Sequence, residues 1–249
     1  MRWAGGVASA SVGVCQALVD VLQGWGLPPE RLNVIRNGVD TQRFCPQPQA
    51  DARAALGINW APLLLSVGHL VHVKGHDIAL QALAQLATRH PGVHLVFVGD
   101  GPLRADLQAQ AQSLGIGARV TFAGAIPNEA LPAWYSAADA LVLASRSEGW
   151  ANVLLEAMAC GTPVVATAVG GTREVVAKPA VGRVVPPQDA AALAEGMASL
   201  LRSPPDRQAV RAYAEGFGWD ETTAAQLRLF RDVVASHRAA RHGHTLTRA

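Results

Sequence analysis

Cysteine, aromatic residues and charge are all scarce in this sequence, and each scarcity removes a class of protein. Three cysteines, Cys15, Cys45 and Cys160, stand far apart in 249 residues with no C-x-x-C pair. That spacing indicates neither a disulfide framework nor a thiolate zinc site, and it fits a reducing cytosol. Aromatics make up 5% and charged residues 16%, with a formal net charge of +2, a balance that argues against a nucleic-acid binder. Long hydrophobic runs are missing too. The apolar start GGVASASVGVCQALVDVL is broken by Ser, Gln and Asp, short of the roughly 20 uninterrupted residues a membrane span needs. It has no signal-peptide form either.

Aliphatic residues fill the space these absences leave, and hydrophobic residues reach 50% of the chain. They fall into short runs: PLLLSVG (62–68), VHLVFVG (93–99), RVTFAG (119–124), ALVLAS (140–145), PVVATAV (163–169) and GRVVP (182–186). Helical patterns begin between them near His76, Pro102, Glu129, Asn152, Thr172 and Asp189. Continuous apolar runs mark strands covered on both faces, and regular alternation with helices marks parallel strands joined by right-handed crossovers. The expected fold is a doubly wound, Rossmann-like α/β domain over 46–215. Helices are expected over 204–215 and 220–237, the second forming a C-terminal arm (216–237), and 238–249 reads as a solvated tail.

Residues 1–45 behave differently. VASASVGV suits a strand, CQALVDVLQGWG a helix ended by Gly26, and RLNVIRNGVD a short strand running into an Asn37-Gly38 turn. One or two strands make no domain alone, so this part reads as the remnant of something larger, followed by a linker through Pro46 and Pro48. Met1 is then either an internal start or the beginning of a short product.

Open parallel sheets bind ligands outside the carboxyl ends of their strands. The loop after the fourth sheet strand is SRSEGWANVLLEAMACGTP (145–163), whose helix is apolar almost all round except for Glu156. A buried carboxylate needs a partner, and this helix holds no Lys or Arg to supply one. Glu148 precedes the helix, so the E-x7-E spacing sets one carboxylate in the loop and the other a turn inside, with Asn152 expected as the helix cap. Carboxylates suit sugar hydroxyls, and the helix N-terminus between them suits phosphate oxygens. Spacing alone equally fits a dipole-favouring Glu156 and a solvated Glu148.

The loop after the first sheet strand is SVGHLVHVKGHD (66–77). His69, His72 and His76 lack a fourth ligand and Gly75 interrupts any shared helical face, so a metal site is disfavoured. Lys74 and His69 are expected to face a ligand, His76 to sit at the helix start and His72 to be exposed.

SEGWANVLLEAMACGTPVVAT closely resembles the signature of retaining glycosyltransferases of family 4 (glycosyl transferases group 1), which have the two-domain glycosyltransferase B fold. NGVDTQRF (37–44), SVGHLVHVKG (66–75), LVFVGDGPLRADL (95–107), VTFAGAIPNEALPAWYSAADALVLAS (120–145) and GGTREVV (170–176) stand in the family's order. The resemblance implies transfer of a sugar from a nucleotide-sugar to a glycan, lipid or small-molecule hydroxyl, with no metal and no cofactor. It implies a cytoplasmic location and peripheral contact with the cytoplasmic membrane face. Glu156 matches the residue on the ribose hydroxyls, Glu148 the one on the donor sugar, and Lys74 the cation on the donor diphosphate. Backbone amides of Gly149, Trp150, Ala151, Asn152 and Val153 would meet sugar and phosphates, and the backbone about Ile126 would edge the base. His69 stands where many relatives carry Arg, which makes any charge there depend on protonation.

Only the C-terminal half of that fold is covered. The face of Ala225, Leu227, Leu229, Phe230 and Val233 would then meet an absent domain and favour self-association. A non-catalytic nucleotide-sugar-binding module is the alternative to an enzyme, and a nucleotide-sugar epimerase of the same architecture is a weaker one.

Overall fold

The computed structural model describes residues 7–246. Its elements run β1 (Ser11–Gly13), α1 (Gln16–Gly24), β2 (Leu32–Val34), α2 (Gln49–Ala55), β3 (Leu63–Val67), α3 (His76–Ala87), β4 (His94–Val98), α4 (Arg104–Ser113) and β5 (Val120–Gly124). They continue with α5 (Leu131–Ala137), β6 (Ala140–Leu143), α6 (Asn152–Ala159), β7 (Val164–Thr167), α7 (Thr172–Val175), β8 (Gly182–Val185), α8 (Ala190–Arg202), α9 (Arg207–Glu215) and α10 (Trp219–Leu246). Residues 1–6 of the expected remnant and 247–249 of the expected tail lie outside the described residues.

The six apolar runs form one sheet, all parallel, in the order β5-β4-β3-β6-β7-β8. Alternate strand side chains enter opposite cores, as period-two geometry requires. Leu63, Leu65, Val96, Leu141 and Val164 join one with residues of α2, α5, α6 and α9. Leu64, Leu95, Phe97, Val142 and Val165 join the other with α3, α4 and α8. Leu65 is fully buried, so Leu65→Ala would cost about 2–5 kcal/mol in transfer and cavity energy.

The helix α2 was not expected; its polar sequence QADARAA follows Pro48 directly and shows too short an apolar pattern to stand out in a linker. The expected Asn37-Gly38 turn is absent. Asp40 heads the turn instead, its Oδ1 accepting from the amides of Gln42 and Arg43 at 3.0 Å. Gly38 serves a close approach: a Cβ there would lie 2.6 Å from the Trp219 amide nitrogen. Beside it, Val39 bridges Gly218.

The strands β1 and β2 pair in parallel around α1 as a separate small unit. It is fastened to the main body by Cys15, fully buried in the larger core, and by Gln16 N–H and Arg36 Nε donating to the Glu174 carboxylate at 2.8 and 3.0 Å. Thr222 on α10 donates to the Arg36 carbonyl at 2.8 Å. Two expectations for α10 change. Ala225, Leu229 and Val233 are half-buried and border grooves whose other walls are this same N-terminal unit, while Leu227 and Phe230 stay exposed. The expected tail from 238 is helical through Leu246, because Ala and Arg extend an established helix without needing an apolar stripe.

Candidate functional site

The strands β3 and β6 are neighbours, and the chain leaves them toward opposite sheet edges. Their carboxyl-end loops, 68–75 and 144–151, therefore border the crevice where an open sheet binds ligands. Gly75 lets the two loops touch. It is left-handed at φ 63°, and a Cβ there would collide with the Ala144 carbonyl oxygen. Arg146 then ties them: it donates to the His72 carbonyl at 2.8 Å and to both Asp77 oxygens at 2.9 and 2.6 Å. The Arg146 bond holds the Asp77 carboxyl below its ordinary range, against the opposing effect of burial.

Lys74 does not stand free over the cleft. Its ammonium donates to Glu148 Oε1 at 2.7 Å, and Ser145, fully buried at the end of the strand, donates to the same oxygen at 2.7 Å. The two residues expected to hold sugar and diphosphate thus hold each other. Their side chains keep 27% and 10% of their surface exposed, so the pair is reachable from solvent.

Glu156 lies a turn inside α6 and is half-buried. Its missing partner is Tyr135, whose hydroxyl donates to Oε2 at 2.7 Å. Burial pushes the Glu156 carboxyl upward and the Tyr135 bond partly offsets that. Among the described residues no side chain bonds Oε1. Ala151, not Asn152, precedes the first turn of α6, and no side chain caps it; Asn152 is exposed and accepts from Asn37 Nδ2 at 3.4 Å. Polar backbone groups at that end remain available to a ligand.

The remaining expected site residues separate by backbone and side chain. Gly149 and Val153 are half-buried, and Ala151 is buried. The Trp150 indole is buried, tilted against Phe217 with centroids 6.4 Å apart, so only the Trp150 backbone can face a ligand. Ile126 turns its side chain onto the larger core. His69 is exposed, with Nδ1 3.1 Å from the Asp100 carbonyl oxygen. His76 is buried at the start of α3, its Nε2 3.0 Å from the His69 carbonyl oxygen and its ring edge-on to Phe97. His72 is exposed. The three rings have separate surroundings.

A family model described as glycosyl transferases group 1 matches residues 48–217. The chain belongs to the glycosyl transferases group 1 family. Among its group 1 relatives, the D-inositol 3-phosphate glycosyltransferase of Frankia alni is 39% identical over 221 residues, 83% of this chain and 54% of that protein. Sucrose-phosphate synthase from Thermosynechococcus elongatus overlays with TM-score 0.83 at 32% identity, covering 94% of this chain and 61% of that one. Anabaena Alr3699/HepE, solved with UDP and glucose, overlays with TM-score 0.83 at 26% identity, covering 90% and 64%. The chain spans about half the length of the curated relatives it matches.

Tyr135 and Ser145, which bond Glu156 and Glu148, and Arg146 and Asp77, which tie the two loops, were not singled out in the sequence. Ser145 and Arg146 sat beside Glu148 in the quoted motif, and their position next to it was the only available signal. Tyr135 stood in the quoted 120–145 motif, but nothing there ties it to Glu156, which it reaches from another helix.

Proposed function

We propose that the chain forms the donor half of a retaining glycosyltransferase that moves a sugar from a nucleoside diphosphate to a hydroxyl of a glycan, lipid or small molecule. The observation that carries this reading is the crevice between β3 and β6. There a cation–carboxylate pair at 2.7 Å adjoins an uncapped helix N-terminus and a half-buried glutamate with one oxygen unclaimed. In this reading Glu156 accepts from the ribose hydroxyls and the backbone of Gly149–Val153 meets sugar and phosphates. His69 lies at the diphosphate edge, and the backbone at Ile126 edges the base.

Donor binding exchanges partners. The diphosphate takes the Lys74 ammonium, and Glu148, still held by Ser145, turns to the sugar hydroxyls. Lys74 then stabilises the charge that grows on the diphosphate as the glycosidic bond breaks. No step in this scheme uses a metal ion or a cofactor. The relatives named above are a glycosyltransferase and a synthase, which favours transfer over epimerisation. A second reading is a module that binds the donor without turnover.

The test is nucleotide binding by two variants. Glu156→Gln is expected to weaken nucleoside diphosphate binding about tenfold, the worth of a hydrogen bond to a charged group. Lys74→Ala should weaken diphosphate binding while leaving the nucleoside nearly unaffected. Wild-type affinity in both variants would refute the assignment. Donor turnover by the same chain would separate enzyme from binding module.

A further inference from the structure

Tyr135 is fully buried on α5, and its hydroxyl stands 2.7 Å from Glu156 Oε2. A carboxylate has no proton to give, so the phenol is the donor. The tyrosine is fixed from behind. Its ring meets Phe44 edge-on with centroids 6.0 Å apart, and its carbonyl accepts from Thr162 Oγ1 at 2.6 Å. Arg207, from α9, in turn donates to Thr162 Oγ1 at 2.7 Å and to the Ser136 carbonyl at 3.0 Å. The tyrosine is thereby held by contacts from Phe44, from Arg207 on α9 and from Thr162, which follows α6.

A glutamate side chain has three rotatable bonds, and a half-buried one on an otherwise apolar helix can fold its carboxyl away or become protonated. One strong bond to Oε2 restrains the carboxyl and opposes its protonation, and it leaves Oε1 unclaimed by any side chain among the described residues. We infer that Tyr135 is a positioning residue for recognition of ribose: it fixes Glu156 so that Oε1 meets the ribose hydroxyls, and so makes the site prefer ribo- over deoxyribonucleotides. This rests on the reading of Glu156 as the ribose-binding group. The bland alternative is that the phenol only satisfies a buried carboxylate and contributes to stability.

Calorimetric titration separates the two. The ligands are UDP, GDP and ADP, each paired with its 2′,3′-dideoxy analogue; the proteins are wild type, Tyr135→Phe, Glu156→Gln and the double variant. Tyr135→Phe removes one oxygen and keeps the ring against Phe44, and a thermal melt checks that the fold persists. Wild type is expected to prefer the ribonucleotide about tenfold. Tyr135→Phe should lose most of that preference by weakening the ribonucleotide and sparing the dideoxy form, and in the Glu156→Gln background it should change the preference no further. Equal weakening of both ligands by Tyr135→Phe, or an intact preference, would overturn the inference while leaving Glu156 in place. An intact preference in Glu156→Gln, or no binding of any pair, would overturn the reading of Glu156 and the inference with it.

Discussion

Lys74 and Glu148 neutralise each other at 2.7 Å, and that contact sets what a single substitution should do. Glu148→Gln is expected to free the ammonium, so a bare nucleoside diphosphate binds several-fold more tightly, by roughly 1 kcal/mol for one partly exposed ion pair. The extra affinity that the attached sugar gives should disappear; calorimetry with the diphosphate and the nucleotide-sugar reads both. Glu156 carries a different balance. Its raised folded value means that protonation favours the fold, a contribution present below the ordinary 4.5 and lost as pH rises through the raised value. Glu156→Gln should therefore melt higher than wild type at pH 7, the gap closing toward pH 4, even though it binds nucleotide less well. The two glutamates and the lysine were legible because the family resemblance assigns each of them a part of the donor. Their partners were less so: Tyr135 meets Glu156 across 21 residues of sequence, a relation that only the packing of α5 on α6 creates.

The loops after β3 and β6 work as one piece because Gly75 admits the contact and Arg146 ties it. Gly75→Ala is expected to destabilise the chain by at least about 2 kcal/mol in urea unfolding, from left-handed strain alone before the clash is counted. The Arg146–Asp77 pair holds the Asp77 carboxyl low, so it contributes stability above the ordinary 3.8 that is lost as pH falls through the lowered value. Arg146→Ala should flatten that part of the acid melting profile. The strands were readable because parallel strands buried on both faces give continuous apolar runs, and all six fell where the runs stood. The Asn37-Gly38 turn failed because a glycine that serves backbone contact with Gly218 and Trp219 looks, in sequence, like one that serves a hairpin. Asn152 looked like a cap and instead begins the helix.

The small unit of β1, α1 and β2 and the long helix α10 gather most of the large apolar side chains left exposed among the described residues, among them Val12, Val21, Trp25, Leu227, Phe230 and Val234. Such a surface favours association. Replacing Leu227 and Phe230 by Glu is expected to lower the mass of associated species in sedimentation velocity without altering nucleotide affinity. The sequence showed that residues 1–45 stand apart, but not that α10 turns half of its apolar face onto them, since that contact spans most of the chain. Whether the crevice between β3 and β6 binds a nucleoside diphosphate is decided most directly by titration calorimetry of the 249-residue protein against UDP, GDP and ADP, with and without EDTA. Saturable binding of one of them, unchanged by EDTA and weakened in Glu156→Gln, is expected. Binding of none, or binding abolished by EDTA, would contradict it.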